Sequence, residues 1–162
     1  MKRLLLLSCI LMLSVNLSAG ERQTIWPKNK MPDSQGHQIA AMTDESRSEG
    51  FEADKHRIAY IEWFDSPSPE ADNDGCMILI SGGSYNSCCD VGLIKKWNER
   101  FTELGFQCVN LVYRTPRPVG LPIYQTAWED GQRAVRMIRS QAKKRGFDPE
   151  RIGIIAAAIT NK

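Results

Sequence analysis

The chain has 162 residues, 42% of them hydrophobic and 25% charged, with a formal net charge of +2. That length supports one domain with a real core and excludes two. With Lys2 and Arg3 set aside, the 21 basic residues fall to 19 against 19 acidic ones, and no basic run or aromatic-basic stripe remains to hold a nucleic acid.

Residues 1–20 have the layout of a secretory signal. Lys2 and Arg3 precede an almost unbroken apolar stretch, Leu4 to Val15, and the small residues of "NLSAG" place cleavage near Ala19 or Gly20. The apolar run falls short of the roughly 20 residues needed to cross a bilayer, and too little apolar chain precedes Cys9 for a lipoprotein anchor. The expected location is therefore secreted or periplasmic, with no membrane contact once the signal is cleaved.

Residues 21–55 are polar and punctuated, as in "TDESRSEGFEADK", and predict an irregular lead-in ordered only where Ile25, Trp26 or Ile39 docks. "RIAYIEWF" (57–64) is rich in β-branched and aromatic residues and predicts a strand. "DSPSPEADNDG" (65–75) is a turn-rich connector, and "CMILI" (76–80) a short apolar run expected of a strand covered on both faces. After the loop "SGGSYNSCCDVG", a helix should start near Asp90, whose carboxylate can cap it. Leu93, Ile94, Trp97, Phe101 and Leu104 recur on its inner face, and Gly105 ends it. "FQCVNLVY" (106–113) is another buried-type strand.

Three prolines, Pro116, Pro118 and Pro122, keep "RTPRPVGLP" out of any helix. A long amphipathic helix follows from about Ile123 to Arg145, with Ala127, Ala134, Val135, Ile138 and Ala142 inward and Arg133, Arg136, Arg139, Lys143 and Lys144 mostly toward water. Gly146 closes it, and "IGIIAAAI" begins a further buried strand. From residue 76 the order is strand, helix, strand, helix, strand. Such alternation implies an α/β fold with a mostly parallel sheet and helices on both faces.

In such sheets the loops at the carboxyl ends of the strands build the site. Gly82, Gly83 and Ser84, directly after a strand, let the backbone turn sharply and offer amides to a developing oxyanion; a plain tight turn would need the same residues. Neither G-x-G-x-x-G nor G-x-x-x-x-G-K-[ST] occurs, so no nucleotide fingerprint is present. The cysteine spacing fits no zinc pattern. Cys76, Cys88, Cys89 and Cys108 allow two bridges in three pairings, although Cys76 and Cys108 lie in apolar runs that suit buried thiols. Glu129 and Asp130 are adjacent on a helix, so they project differently and are expected to be capping and surface charges. His37 and His56 are expected to be ordinary solvated residues.

The segments "MILISGGSY", "LGFQCVNLVYRTPRP", "LPIYQTAWEDGQRAVRMIRS" and "RGFDPERIGII" together resemble the α/β-hydrolase esterases of the secreted, carbohydrate-esterase-like kind, near acetylxylan and feruloyl esterases. The resemblance implies that residues 56–162 form the N-terminal part of an α/β-hydrolase domain, truncated at the nucleophile elbow. It makes "SGGSY" the oxyanion-hole loop, with Ser84 where a third glycine usually stands, and it puts Asp130 in a helix packed near the site. Laid on G-x-S-x-G, Ala156 and Thr160 take the glycine positions and Ala158 takes the place of the nucleophilic serine. Thr160 sits two residues late for that role. The acid and histidine that should follow the nucleophile are absent, since both histidines precede the sheet.

The expectation is thus an N-terminal fragment of a secreted serine esterase acting on carboxylic esters of carbohydrates, inactive by itself. Its substrate, if the chain were completed, would be a small ester or acylated polysaccharide, with no metal and no organic cofactor. The alternative is an exported non-enzymatic module that binds carbohydrate or protein on the same half-fold, with Trp63, Tyr85, Tyr113 or Trp128 available for stacking. A phosphate-binding role for "SGGSYNS" at a helix start is weaker, because no lysine or threonine follows at the needed spacing. The last strand should be left as an apolar open edge, so self-association and marginal stability are expected.

Overall fold

The computed structural model describes residues 20–27, 30–32, 59–65, 67, 73–86, 88, 90–118 and 120–158. Residues 1–19 of the expected signal, Ile39, His37, His56, Cys89 and Thr160 lie outside them, as does most of the lead-in. The order of elements is β1 (Glu21–Thr24), β2 (Tyr60–Trp63), β3 (Cys76–Ile80), α1 (Val91–Glu103), β4 (Gln107–Val112), α2 (Gln125–Arg145) and β5 (Ile152–Ala156).

The strands form one sheet in the order β1-β2-β4-β3-β5. β3 pairs in parallel with both β4 and β5, as the alternating pattern from residue 76 requires, while β1–β2 and β2–β4 are antiparallel. The lead-in departs from its expected irregularity. Glu21 to Thr24 add a short edge strand to β2, and the adjacent Ile25 and Trp26 dock as anticipated, Ile25 buried in the core.

Alternation along the strands decides which helix each residue meets. Cys76 and Ile78 of β3 and Val109 and Leu111 of β4 face α2, where they pack with Ala134, Ile138 and Ala142. Leu79 and Cys108 face α1, packing with Ile94, Trp97 and Phe101. The two helices therefore cover opposite faces of the sheet.

Asp90 caps α1 as its position predicts: its side-chain oxygen accepts from the Leu93 amide at 2.8 Å. At the other end Gly105 takes a left-handed φ of 85°, and Phe101 meets Phe106 edge-on at 5.8 Å, fastening the helix end to the start of β4. Leu104 departs from expectation and is exposed, because the helix has already given way to its closing turn there. In α2 the buried stripe is Thr126, Asp130, Ala134, Ile138 and Ala142, an unbroken i, i+4 series. Ala127 and Val135, expected inside, flank that stripe at intermediate burial.

Cys76 and Cys108 are free, buried thiols. They lie on adjacent strands but point to opposite faces of the sheet, so they cannot bridge each other. Burial pushes the Cys76 thiol up to about 12, with the nearby Cys108 adding to the rise. Burial also pushes Cys108 up to about 11, against a lowering hydrogen bond from Thr102. The folded chain thus keeps both protons at a pH where the unfolded chain, titrating near 9.0, has released them. Their contribution to stability is whole below about pH 9 and is lost as pH rises toward 12. Urea unfolding should show a loss of about 2 kcal/mol per thiol between pH 8 and pH 10.5. A double variant, Cys76→Ala with Cys108→Ala, should lose that part of the slope; an unchanged slope would refute the assignment.

Candidate functional site

The carboxyl ends of β3, β4 and β5 open onto a cleft of about 520 Å³, a volume in the range of small-molecule sites. One wall is the loop Ser81 to Tyr85 after β3. Facing it, Ala156, Ala157 and Ala158 leave the end of β5, and Tyr124, Ala127 and Trp128 come from the start of α2. Four of the predicted site residues, Gly82, Gly83, Ser84 and Ala158, therefore come together in one cleft, although their loops are far apart in sequence.

The loop owes its shape to three consecutive residues with positive φ: Gly83 at 150°, Ser84 at 51° and Tyr85 at 63°. Glycine adopts such angles freely, whereas side-chain-bearing residues in the left-handed region do so at a cost of about 1–2 kcal/mol each. The strain is held in place locally. The Asn86 amide donates to the Gly83 carbonyl at 2.9 Å, and the Arg117 amide donates to the Tyr85 carbonyl at 2.9 Å. The Tyr85 ring meets the ring of Tyr113 at 6.2 Å, and the Cys88 thiol contacts the Tyr113 carbonyl at 3.8 Å. Successive amides in turns of this kind converge on a shared concavity suited to a negatively charged oxygen.

Opposite that loop, the side chain at position 158 is a methyl group, with no lone pair to attack a carbonyl carbon. Among the described residues no group of three or more His, Cys, Asp or Glu is arranged to hold a metal ion.

Glu129 and Asp130 do not line the cleft, and Asp130 is not the surface charge expected of it. It is completely buried, because the helical phase places it between Thr126 and Ala134. The Arg114 Nε donates to both of its oxygens at 2.9 and 3.0 Å, the Arg114 backbone amide donates at 2.8 Å and Trp26 Nε1 at 2.6 Å. The same guanidinium reaches Glu129 Oε2 at 2.9 Å, the Thr126 carbonyl at 3.3 Å and the Pro32 carbonyl. The two adjacent carboxylates thus share one arginine despite projecting differently. Arg114 had no role in the sequence reading; the signal for it was an aspartate in phase with an otherwise small and apolar stripe.

Two of the aromatic residues considered for stacking, Trp63 and Tyr113, are buried in the core. Tyr85 is half-buried at the cleft, and Trp128 is 60% exposed. Tyr124, which the sequence reading passed over, is 55% exposed on the same wall.

Comparison with known proteins follows the same lines. No family model matches the chain. Over 88% of its length it superposes on 44% of an acetyl ester-xyloside bifunctional hydrolase from Caldicellulosiruptor lactoaceticus, with a TM-score of 0.56 and 20% identity. It also superposes on the native esterase Est2 of Thermogutta terrifontis, covering 88% of this chain and 41% of that one, with a TM-score of 0.57 and 16% identity. The fold is that of the α/β-hydrolases. In sequence, 84 residues (49% of this chain) are 31% identical to endo-1,4-beta-xylanase B of Butyrivibrio fibrisolvens, 12% of whose length is matched. The chain thus spans less than half the length of the solved α/β-hydrolases and a small part of the curated relative.

Two outcomes test this description. Ser84→Gly should leave stability unchanged or raise it by up to about 1 kcal/mol in thermal or urea unfolding, whereas Ser84→Val, β-branched at a left-handed position, should cost about 1–2 kcal/mol. Asp130→Ala, which strands a buried guanidinium, should cost about 3–5 kcal/mol; a loss below about 1 kcal/mol would show that the pair is not the buried node described.

Proposed function

We propose that this chain is the N-terminal part of a secreted serine esterase that acts on carboxylic esters of carbohydrates, and that it does not turn such esters over by itself. The observation that carries the reading is the cleft in which the strained Gly83–Ser84–Tyr85 turn faces Ala158 across the ends of β3 and β5. The amides of the loop would hold the tetrahedral oxygen of an ester under attack, with Gly82, Gly83 and Ser84 as the oxyanion-hole residues. The attacking group would stand at position 158, where this chain carries a methyl. Support comes from the names borne by the similar proteins, two of them esterases or acetyl ester hydrolases and one a xylanase. The leader-like residues 1–20 support export, and among the described residues no helix is long and apolar enough to cross a membrane.

The exposed Tyr124 and Trp128 beside the loop favour a second use of the same cleft, binding a sugar ring without chemistry.

A fluorophosphonate probe separates the two parts of the reading. The chain should take up no label, because the reagent needs an activated nucleophile. Ala158→Ser should bring no p-nitrophenyl acetate turnover above background, since the histidine of an α/β-hydrolase triad follows its nucleophile in the chain and both histidines here precede the sheet. Acetylated xylo-oligosaccharide should perturb tryptophan fluorescence, and Trp128→Phe should remove the change. Labelling of the unaltered chain would overturn its inactivity, and fluorescence blind to the sugar ester would overturn the substrate assignment.

A further inference from the structure

We infer that the crest of α2, centred on Arg136 and Lys143, is a docking surface for an acidic polysaccharide whose sugars carry free carboxylates. From Gly131 to Arg145 the helix holds Arg133, Arg136, Arg139, Lys143, Lys144 and Arg145 and no acidic residue. Spread out in the sequence, these cations are gathered by the helix onto its outer side. At about 100° per residue, the buried stripe Asp130, Ala134, Ile138 and Ala142 averages to the side directly opposite Arg136, and Lys143 stands about 20° from Arg136. The crest therefore points straight away from the sheet. Its exposure follows from how α2 is seated and not from what lies beside β5. Arg136, Arg139, Ser140 and Lys143 are all exposed.

The charge on this crest is not cancelled locally. Arg114 takes up Glu129 and Asp130 at the start of the helix, and Glu21 pairs with Arg145, beside Lys144. Arg133 donates to the Ile25 carbonyl and Arg139 to the Pro149 carbonyl, both uncharged partners. Among the described residues no carboxylate pairs with Arg133, Arg136, Arg139 or Lys143. Helix α1 is the contrast within the same chain. There Lys95 pairs with Glu99 and Arg100 with Glu103, the interleaving of an ordinary solvated face. The helix dipole accounts for cations in the last turn, Lys143 to Arg145, but its effect falls off within that turn and does not reach Arg133 or Arg136. A chain whose charges otherwise nearly balance thus concentrates positive charge on one helix.

Three features select the partner. Arginine presents a planar fork that meets a carboxylate through two hydrogen bonds, which suits the acid groups of uronate sugars. The crest also continues a row that begins at the cleft: Trp128, Gln132 and Arg136, all exposed, follow one another at intervals of four residues, about 6 Å along the axis. An extended chain laid on α2 would pass from an aromatic face to an amide to a guanidinium, groups that meet sugar rings, hydroxyls and carboxylates in turn. A lipid surface fits poorly, because helices that lie on membranes set apolar side chains among their cations, and Gln132, Arg136, Ser140 and Lys143 include none. That the carboxylates are carried on carbohydrate rests on the proposed function, which the crest extends from neutral esters to charged polymers.

Titrating the chain into fluorescently labelled polygalacturonate, followed by anisotropy, tests the inference. Binding should weaken as salt is added, and the fully methyl-esterified polymer, which keeps the sugars and loses the charge, should bind at least about tenfold more weakly. Arg136→Gln with Lys143→Gln should weaken binding about five- to tenfold and leave the circular dichroism in place. Lys95→Gln with Lys96→Gln, which removes the same charge from α1, should change it by less than about twofold. Should the crest variant not fold, carbodiimide coupling on the unaltered chain decides: the polymer's carboxylates should join Lys143 in preference to Lys95 and Lys96. Equal binding of the esterified polymer, an equal effect of the α1 variant, or coupling mainly at Lys95 and Lys96 would overturn the inference. Equal or tighter binding of a single-stranded oligonucleotide or of phosphatidylglycerol vesicles would overturn the choice of partner. Polygalacturonate carries no acyl ester and acetylated xylo-oligosaccharide no charge, so a chain that answers the second and ignores the first sinks this inference and leaves the proposed function standing.

Discussion

One buried ion pair governs how the parts of this chain are held together. Arg114 leaves the end of β4, Asp130 sits in the first half of α2, and Trp26 and Pro32 belong to the lead-in. All four meet at a single carboxylate and guanidinium that water scarcely reaches. Burying two charges costs several kcal/mol per ion, and only full hydrogen bonding offsets it. That condition is met: Asp130 accepts from three donor groups on two residues, and Arg114 spreads its remaining donors over Glu129 and two carbonyls. The indole of Trp26 adds its face, with the guanidinium carbons of Arg114 and Arg133 each 5.8 Å from the ring.

This pair also sets what α2 shows to the cleft and to solvent. At about 100° per residue, turning Asp130 inward carries Trp128, two positions earlier, to roughly the opposite side of the helix. Trp128 is exposed for that reason, and Ala127 lands at the cleft margin. A polar interaction in the core thereby decides the placement of an aromatic wall beside the strained loop. The loop in turn keeps its unusual backbone because its carbonyls are engaged by Asn86 and Arg117. Shape and chemical capacity separate here: the strained loop borders the cleft, while the side chain at position 158 carries no oxygen.

The periodic elements were legible in the sequence because each has a strong local cause. The run CMILI is strand β3 from end to end, Asp90 caps α1, and Gly105 and Gly146 close the two helices in left-handed conformations. The glycine-rich turn and the position of Ala158 were also visible, since both sit at strand ends where α/β sheets place their sites. What was not legible depends on partners distant in sequence. Nothing local marks ERQT as a strand; it becomes one because β2 offers an edge. The exposure of Leu104 follows from where its helix ends, and the inward turn of Asp130 needs Arg114, 16 residues away, to be tolerable.

The proposed export bears on the cysteines. An exported chain meets oxidising surroundings, where exposed thiols pair or oxidise. Cys76 and Cys108 are kept from each other by the sheet itself, one beneath α2 and the other beneath α1. Reaction needs the thiolate, and burial holds both groups in the neutral form at physiological pH. A strand position that alternates faces thus makes two neighbouring cysteines behave as small apolar side chains. They fill the core on either side of β3 and β4 without requiring a bridge, and export and free thiols are compatible in this fold.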